Sequence, residues 1–385
     1  MRAQPLKVLF FANTEWYLFN FRLALAKHLR ERGVEVVMVS PPGPYGEKLE
    51  ADGFRWIPVP MARRSLNPLR EAWLLWRLFC VYQAEKPDIA HHFTIKCVVY
   101  GGLASSAARI QGVVNAITGL GYVFIGNDFR AKILRPLVRQ LLRFVIDGHN
   151  RRLILQNPDD RQTFLSAGLI NDERIRMIPG SGVDTERFRP NPPLSTTVSR
   201  QCAKVVFAAR LLWDKGLAEF VEAAQKLQSA GVHAEFVIAG DPDPGNPASI
   251  PNETLAEWRT HPAITLLGHV ADMVAFLEDA HVMVLPSYRE GLPRSLIEAA
   301  AAGLPIVTTN VPGCREVVAD GVNGFLVPVR DSAALAKAIG KILEDPALAA
   351  RMGSAGRAKA LSEFDERLVF EKTVDVYREL DSKFS

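Results

Sequence analysis

The stretch Val282-Met-Val-Leu-Pro-Ser-Tyr-Arg-Glu-Gly-Leu-Pro-Arg-Ser-Leu-Ile-Glu298 decides how the chain is read. Val282–Leu285 is a short apolar run closed by turn residues and reads as a strand. Pro286-Ser-Tyr-Arg-Glu-Gly291 reads as a turn, and Pro293 suits the first turn of a helix, where its missing N–H costs nothing. A helix N-terminus offers unpaired N–H groups and partial positive charge, which together make an anion site. Glu298 lies about 7 to 8 Å along that helix. The segment is suited to a phosphate at its start and a polyol on either side.

Glu298 is the odder of the two carboxylates. Its neighbours are Leu296, Ile297 and Ala299 to Ala302, and a helix apolar nearly all round is a buried helix. A buried carboxylate needs a hydroxyl, a cation or a ligand. Local physics leaves two readings open: a ligand site, or a satisfied core Glu298 with Glu290 compensating the helix dipole.

Outward from this segment, strand-like and helix-like runs alternate along the chain. Strands are expected at Lys7–Ala12, Val34–Val39, Asp88–His91, Val113–Ile117 and Leu153–Leu155, with an amphipathic helix over Asn20–Arg32 stopped by Gly33. The pattern resets after Arg189-Pro-Asn-Pro-Pro-Leu-Ser-Thr-Thr197, the best linker candidate. Lys204–Ala209 opens a second series, followed by Glu235–Ala239, Ile264–Leu266, Val282–Leu285, Ile306–Thr308 and Phe325–Val327. Apolar strands alternating with helices imply α/β domains with parallel sheets. The expectation is two Rossmann-like, doubly wound domains, residues 1–190 and 200–362, facing a cleft at the carboxyl ends of their strands. A helical tail, residues 363–385, is expected to pack back on the first.

Composition agrees with such a protein. The chain has 385 residues, 48% hydrophobic and 9% aromatic, enough for two large cores. The apolar run at Val8–Ala12 is too short for a signal peptide, and no stretch is long enough to span a bilayer. Cys80, Cys97, Cys202 and Cys314 are scattered without metal-ligand spacing and read as reduced thiols of a cytosolic protein. Charge is unevenly spread. Residues 1–150 hold 20 Lys+Arg against 11 Asp+Glu, and the remainder 26 against 31, giving the net +4. A basic first half suggests an anionic surface or substrate.

The second series carries further polar groups at its strand ends. Arg210 follows Lys204–Ala209, and Lys215-Gly216 opens the next helix. A lysine at a helix start opposes the dipole unless an anion sits there. Arg supplies a planar fork and Lys a point charge, so the two suit a diphosphate, although solvated surface cations would look the same. Gly240-Asp241 and Gly268-His269 close two more strands. The domain opens with no Gly-x-Gly-x-x-Gly, and no Walker lysine motif is present.

Glu290-x₇-Glu298 with Ala209-Arg210…Lys215-Gly216 upstream resembles the retaining glycosyltransferases of family 4, which have the GT-B fold. Gly182-Val-Asp184, Gly303-Leu-Pro-Ile-Val and Gly321-x-x-Gly324 extend the likeness, which covers most of the chain and is strongest over 175–330. The runs Ala209–Gly216, Leu285–Gly291 and Val311-Pro-Gly-Cys-Arg-Glu316 look closest to bacterial enzymes that extend polyprenyl-diphosphate-linked saccharides, including those of N-glycan assembly; Asn20-Phe-Arg22 and Ser65-Leu-Asn-Pro68 are similar too. The resemblance implies that Arg210 and Lys215 hold the donor diphosphate and stabilise the departing charge, and that Glu290 contacts the donor sugar. It implies that Glu298 accepts from the ribose, that backbone N–H groups around Leu292, Pro293, Arg294 and Ser295 cap the distal phosphate, and that Gly240 and Gly268 line the donor pocket. It implies no metal and no resident cofactor, the nucleotide sugar, expected to be UDP-linked, being a substrate.

One departure stands out. Many family members carry a His after the strand matching Val113–Ile117, where this chain has Thr118-Gly119-Leu-Gly121. Thr118 takes the place, or His92 substitutes; equally, His91 and His92 are core histidines. Asn13, Thr14, Arg22, Thr118 and Gly119 are the remaining candidates for acceptor contacts.

Arg130–Val145 reads as a basic amphipathic helix. Arg135, Arg139 and Arg143 form one stripe and Leu134, Leu137, Val138, Leu141, Leu142 and Val145 the opposite face. Such a helix lies on an anionic membrane, or covers a sheet with its basic face in water. Arg63-Arg64 and Trp73-Leu-Leu-Trp76-Arg-Leu-Phe79 favour the membrane. The expected protein is a metal-independent, retaining glycosyltransferase peripheral on the inner face of the cytoplasmic membrane. It moves a hexose or N-acetylhexosamine from a UDP-sugar to a lipid-linked saccharide and has no nucleic-acid partner. The alternatives are a soluble enzyme acting on a small acceptor and a non-catalytic nucleotide-sugar-binding protein.

Overall fold

The computed structural model describes residues 5–62, 67–119, 129–190 and 203–384, without the side chains of 129–137 and 383. Arg63-Arg64, Ser65-Leu66, Gly121, Cys202 and most of the Pro/Ser/Thr stretch lie outside the described residues.

The chain forms two units, Met1–Ser181 with Val369–Ser385, and Gly182–Leu368. The division falls ahead of the Pro-rich stretch because Val183 and Phe188 already belong to the second unit's core. Val369, Phe370, Val374 and Tyr377 belong to a core of the first.

In the first unit, β1 (Lys7–Phe11), β2 (Glu35–Ser40), β3 (Arg55–Pro58), β4 (Ile89–Phe93), β5 (Gly112–Ala116), β6 (Arg151–Leu155) and β7 (Ile175–Met177) pair in parallel in the order β3-β2-β1-β4-β5-β6-β7. β1 shows why the strand is apolar throughout. Val8 and Phe10 enter one core with Leu25 and Tyr377, while Leu9 and Phe11 enter another with Leu74 and Leu78. Both faces of the sheet are covered, as parallel sheets require. In the second unit, β8 (Ala203–Ala208), β9 (Ala234–Ala239), β10 (Ile264–Gly268), β11 (Val282–Leu285), β12 (Ile306–Thr309) and β13 (Gly324–Val327) are ordered β10-β9-β8-β11-β12-β13, again all parallel.

Each sheet reverses its strand order once, between β1 and β4 and between β8 and β11. At such a reversal the two following helices leave towards opposite faces. They open a crevice at the carboxyl ends of the strands, where ligands of open α/β sheets bind.

Two helices differ from expectation. Asn20–Arg32 is broken: Glu15–Phe21 and Leu23–Glu31 are separate helices, and Arg22 between them has φ −129°. The helix Phe129–Ile146 is present, but its described half turns Leu142, Val145 and Ile146 into the first unit's own core, with Val138 packed against them. Arg139 and Arg143 face solvent. The apolar face of this half packs on the unit's own core, while Phe144 is exposed; the stripe's earlier residues lie outside the described side chains.

Gly216 precedes the helix Leu217–Ser229 with φ 72°, and a Cβ there would lie 2.1 Å from the carbonyl oxygen of Pro286. This contact lets the loops after β8 and β11 approach. Gly216→Ala meets both the left-handed backbone cost and the overlap, together about 3 kcal/mol. Urea unfolding of the variant should show a loss of that order, whereas Ala at Gly231, which meets the backbone cost but has open space, should lose about 1 to 2 kcal/mol.

Candidate active site

The loop after β8 winds through a single 3₁₀ turn, Trp213–Lys215, before Gly216. The loop after β11 lies beside it, and the Tyr288 N–H donates to the Asp214 carbonyl at 2.9 Å. Across this junction Lys215 Nζ meets Glu290 Oε1 at 2.5 Å, and the Ser287 hydroxyl donates to the same carboxylate oxygen at 2.7 Å. Thr309 at the end of β12 fixes the loop by donating to the Ser287 carbonyl. The Glu290 N–H donates to Pro312 at 3.2 Å. Gly313 closes the far side with φ 81°, where a Cβ would lie 2.7 Å from the Gly291 carbonyl oxygen. The ion pair thus spans the reversal between β8 and β11. Cys314 is buried nearby, and burial, with the Glu290 charge adding to it, pushes its thiol up to about 12.

Arg210, also at the end of β8, pairs with Asp243 at 2.6 Å while its side chain remains about half exposed. Gly240 and Gly268 meet at adjacent strand ends, where the Gly240 N–H donates to the Gly268 carbonyl at 2.7 Å. Gly240 has φ 142°, and a Cβ would lie 1.8 Å from the Ala209 carbonyl oxygen. Close backbone approach therefore forces glycine at Gly240, whereas at Gly268 the backbone, with φ 73°, is what favours it.

Pro293 is the residue before the helix Arg294–Ala301 rather than within it, and no side chain caps that helix. The Leu296 and Ile297 N–H groups turn back to the Pro293 carbonyl. Glu298 is 6% exposed, and Arg294, one turn earlier, donates to it at 2.8 Å. Burial holds the Glu298 carboxyl above its ordinary range, with the Arg294 and Arg187 charges opposing that rise. Arg294 was expected to serve through its backbone; its side chain supplies the cation that a buried carboxylate needs.

In the first unit, Thr14 caps the helix Glu15–Phe21 by accepting from the Tyr17 N–H at 3.0 Å, and Asn13, Thr118 and Gly119 are partly exposed at the ends of β1 and β5. His92 is corrected as an acceptor candidate. It is fully buried, with Tyr82 Oη at 3.0 Å from Nε2 and Asn115 Oδ1 at 2.8 Å from Nδ1. Burial lowers its pKa to about 4, so it is a neutral core histidine with both ring nitrogens engaged. Thr118 is left as the candidate at the position of the family's His.

Residues 21–180 match the model of the glycosyl transferase 4-like domain, and residues 202–345 that of glycosyl transferases group 1. Together the two take in well over half of the chain. The chain belongs to this glycosyltransferase family. It is 28% identical over 94% of its length, and 95% of the relative's, to an N,N'-diacetylbacillosaminyl-diphospho-undecaprenol alpha-1,3-N-acetylgalactosaminyltransferase of Campylobacter jejuni. It is 26% identical to a UDP-Gal:alpha-D-GlcNAc-diphosphoundecaprenol alpha-1,3-galactosyltransferase of Escherichia coli, over 87% of this chain and 86% of that one. HepE of Anabaena, solved with UDP-glucose, superposes with a TM-score of 0.79 at 21% identity, covering 97% of this chain and 100% of that one. The fold is GT-B, with two Rossmann-like domains.

The motif Gly182-Val-Asp184 also finds its reason in the second unit. Val183 bridges in parallel to Asp365, and a Cβ on Gly182 would lie 2.5 Å from the Glu366 Cα. Burial, then the Asp184 carboxylate, raises Glu366 to about 7, against the opposing charge of Arg294. Its unfolded value is about 4.3. A raised folded pKa means stability that is full below the unfolded value and lost as pH rises through 7. Glu366→Gln should flatten the fall in Tm between pH 5 and pH 8 and leave the variant more stable than the native chain at pH 8.

Proposed function

We propose that the second unit binds a UDP-sugar and that the enzyme transfers its hexosyl or N-acetylhexosaminyl group, with retention, to a saccharide carried on a polyprenyl diphosphate. The observation that carries this reading is the Lys215–Glu290 pair held across the reversal between β8 and β11. It sets a cation and a carboxylate where a nucleotide sugar would present its diphosphate and its hydroxyls. The lipid-diphosphate acceptors in the names of the Campylobacter and Escherichia relatives, and the UDP-glucose bound by HepE, support the substrate classes.

In this reading the sugar–phosphate bond breaks, UDP leaves with the electron pair, and an acceptor hydroxyl bonds to the sugar carbon. A phosphate oxygen of the leaving group takes the proton. Lys215 and Arg210 stabilise the charge on the diphosphate, assisted by the uncapped helix start at Arg294 and Ser295. Fixed cations and N–H dipoles suffice for much of such a reaction, and no metal or resident cofactor is assigned. Glu290 positions the sugar hydroxyls, and Glu298, held by Arg294, accepts from the ribose.

The acceptor would place the protein at a membrane surface. No helix among the described residues is long and apolar enough to cross a bilayer. The helix Pro68–Glu85 buries Leu74, Leu78 and Tyr82 but leaves Leu69, Trp73 and Trp76 exposed at 81%, 43% and 56%. These three recur at helical spacing, with exposed Arg70 beside them and the Arg77 guanidinium 5.9 Å from the Trp73 ring. Tryptophan with flanking arginine suits an anionic lipid interface.

Thermal-shift titration with UDP-, GDP- and ADP-sugars, then mass-spectrometric detection of a lipid-linked product, tests the function. UDP-sugars alone should raise Tm, and a small-acceptor or binding-only protein would give no lipid product. Glu298→Gln should weaken UDP binding about 10-fold with kcat little changed, and Glu290→Gln should lower kcat about 100-fold with binding little changed. Equal losses from both would contradict this division. Trp73→Ser with Trp76→Ser should abolish most co-sedimentation with phosphatidylglycerol-containing vesicles without lowering UDP affinity.

A further inference from the structure

The first unit holds a buried cation without a counter-charge. Arg22 is 5% exposed, and among the described residues no carboxylate lies within ion-pair distance of it. Its one side-chain hydrogen bond goes to a neutral phenol, the Tyr17 hydroxyl, at 2.8 Å. Its guanidinium carbon stands 4.4 Å from the centre of the Phe93 ring, and its Nε is buried with no partner. Behind Phe93, 4.1 Å away ring to ring, lies His91, whose Nδ1 meets Tyr377 Oη at 2.6 Å and whose Nε2 is buried without a partner. Burial and the Arg22 charge both hold His91 neutral, well below its ordinary range, so the histidine adds no charge and offers none to oppose Arg22.

The place is as telling as the composition. Phe93 ends β4, and Arg22 is the break between the two helices that follow β1. The cluster therefore stands at the first unit's own strand reversal. The next residue, Thr94, is a β-branched side chain at φ 74°, and it starts the fourteen-residue helix Ile95–Ala108 without a side-chain cap. A β-branched residue in the left-handed region costs roughly 1 to 3 kcal/mol, and such strain gathers at ligand sites. A desolvated guanidinium without a counter-charge costs more again, an amount that its hydrogen bond to Tyr17 and its contact with the Phe93 ring offset in part.

We propose that Arg22 is the charged floor of a phosphate subsite at the β1/β4 reversal, and that its occupant is the diphosphate of the lipid-linked acceptor. This rests on the acceptor class argued above and goes beyond it by assigning the diphosphate, rather than the saccharide, to this unit. Arg22 is a binding residue for the acceptor's anionic link. The first turn of the helix Ile95–Ala108, which no side chain caps, supplies neutral donors to the same group.

Inorganic pyrophosphate is the probe, titrated by calorimetry into the full chain with UDP saturating, so that the donor site is filled. The native protein should bind it, Arg22→Met and Arg22→Lys should weaken binding at least 10-fold and about 3-fold, and UDP affinity reports that each variant is folded. Arg22→Met should raise the acceptor KM at least 10-fold while kcat changes less than 3-fold. No binding to the native protein, or equal binding to both variants, overturns the subsite. Equal acceptor KM for the native chain and Arg22→Met, with the lipid acceptor turned over, overturns the subsite and leaves the proposed function standing. Pyrophosphate that binds through Arg22 but is not displaced by polyprenyl-diphosphate saccharide overturns the acceptor assignment, whereas the lipid-linked function falls only if no lipid-linked product forms.

Discussion

A single geometric constraint organises both units: each parallel sheet reverses its strand order once, and the groups that carry charge stand at the reversal. In the second unit the constraint has a specific chemical expression, the contact of Lys215 with Glu290. That pair requires the loops after β8 and β11 to run side by side, which in turn requires Gly216 against the Pro286 carbonyl and Gly313 against Gly291. Ser287 and Thr309 then complete the support from β11 and β12. The cost of holding a lysine and a carboxylate in partial burial is offset by their mutual attraction and by the hydroxyl on the shared oxygen.

The two reversals are charged differently, and this separates their tasks. In the second unit the two cations assigned to the diphosphate each have an acidic companion: Lys215 with Glu290 and Arg210 with Asp243. Such cations are held ready and can exchange a carboxylate for a phosphate at small net cost in charge. In the first unit Arg22 is surrounded by aromatic rings and a neutral histidine. Among the described residues it has no carboxylate to exchange, so an arriving anion gains the full interaction. The basic balance of the first half of the sequence points the same way.

Much of the fold was legible in the sequence, because buried parallel strands are short apolar runs with turn residues at both ends. The expected strands are all present, with ends displaced by at most two residues. β3 and β7 were not read. Both are edge strands: Arg55–Pro58 has a largely exposed pattern and a proline, and Ile175–Met177 is three residues long. The broken helix at Arg22 escaped because hydrophobic spacing continues through the break. At the second unit's site, the motif residues were legible but their partners were not. Asp243 and Ser287 lie among ordinary loop residues, and only tertiary placement reveals what they hold. The basic helix Phe129–Ile146 was legible as a helix but not in its task, because amphipathicity is the same for a helix on lipid and a helix on its own core.

The function proposed for the second unit stands or falls on where the diphosphate goes. A crystal structure of the full chain with bound UDP measures this directly. Lys215 Nζ should lie within hydrogen-bond distance of a diphosphate oxygen, with its contact to Glu290 lengthened, and the ribose hydroxyls should lie on Glu298. UDP bound away from the β8/β11 reversal, or a diphosphate with no contact to Lys215, would contradict it.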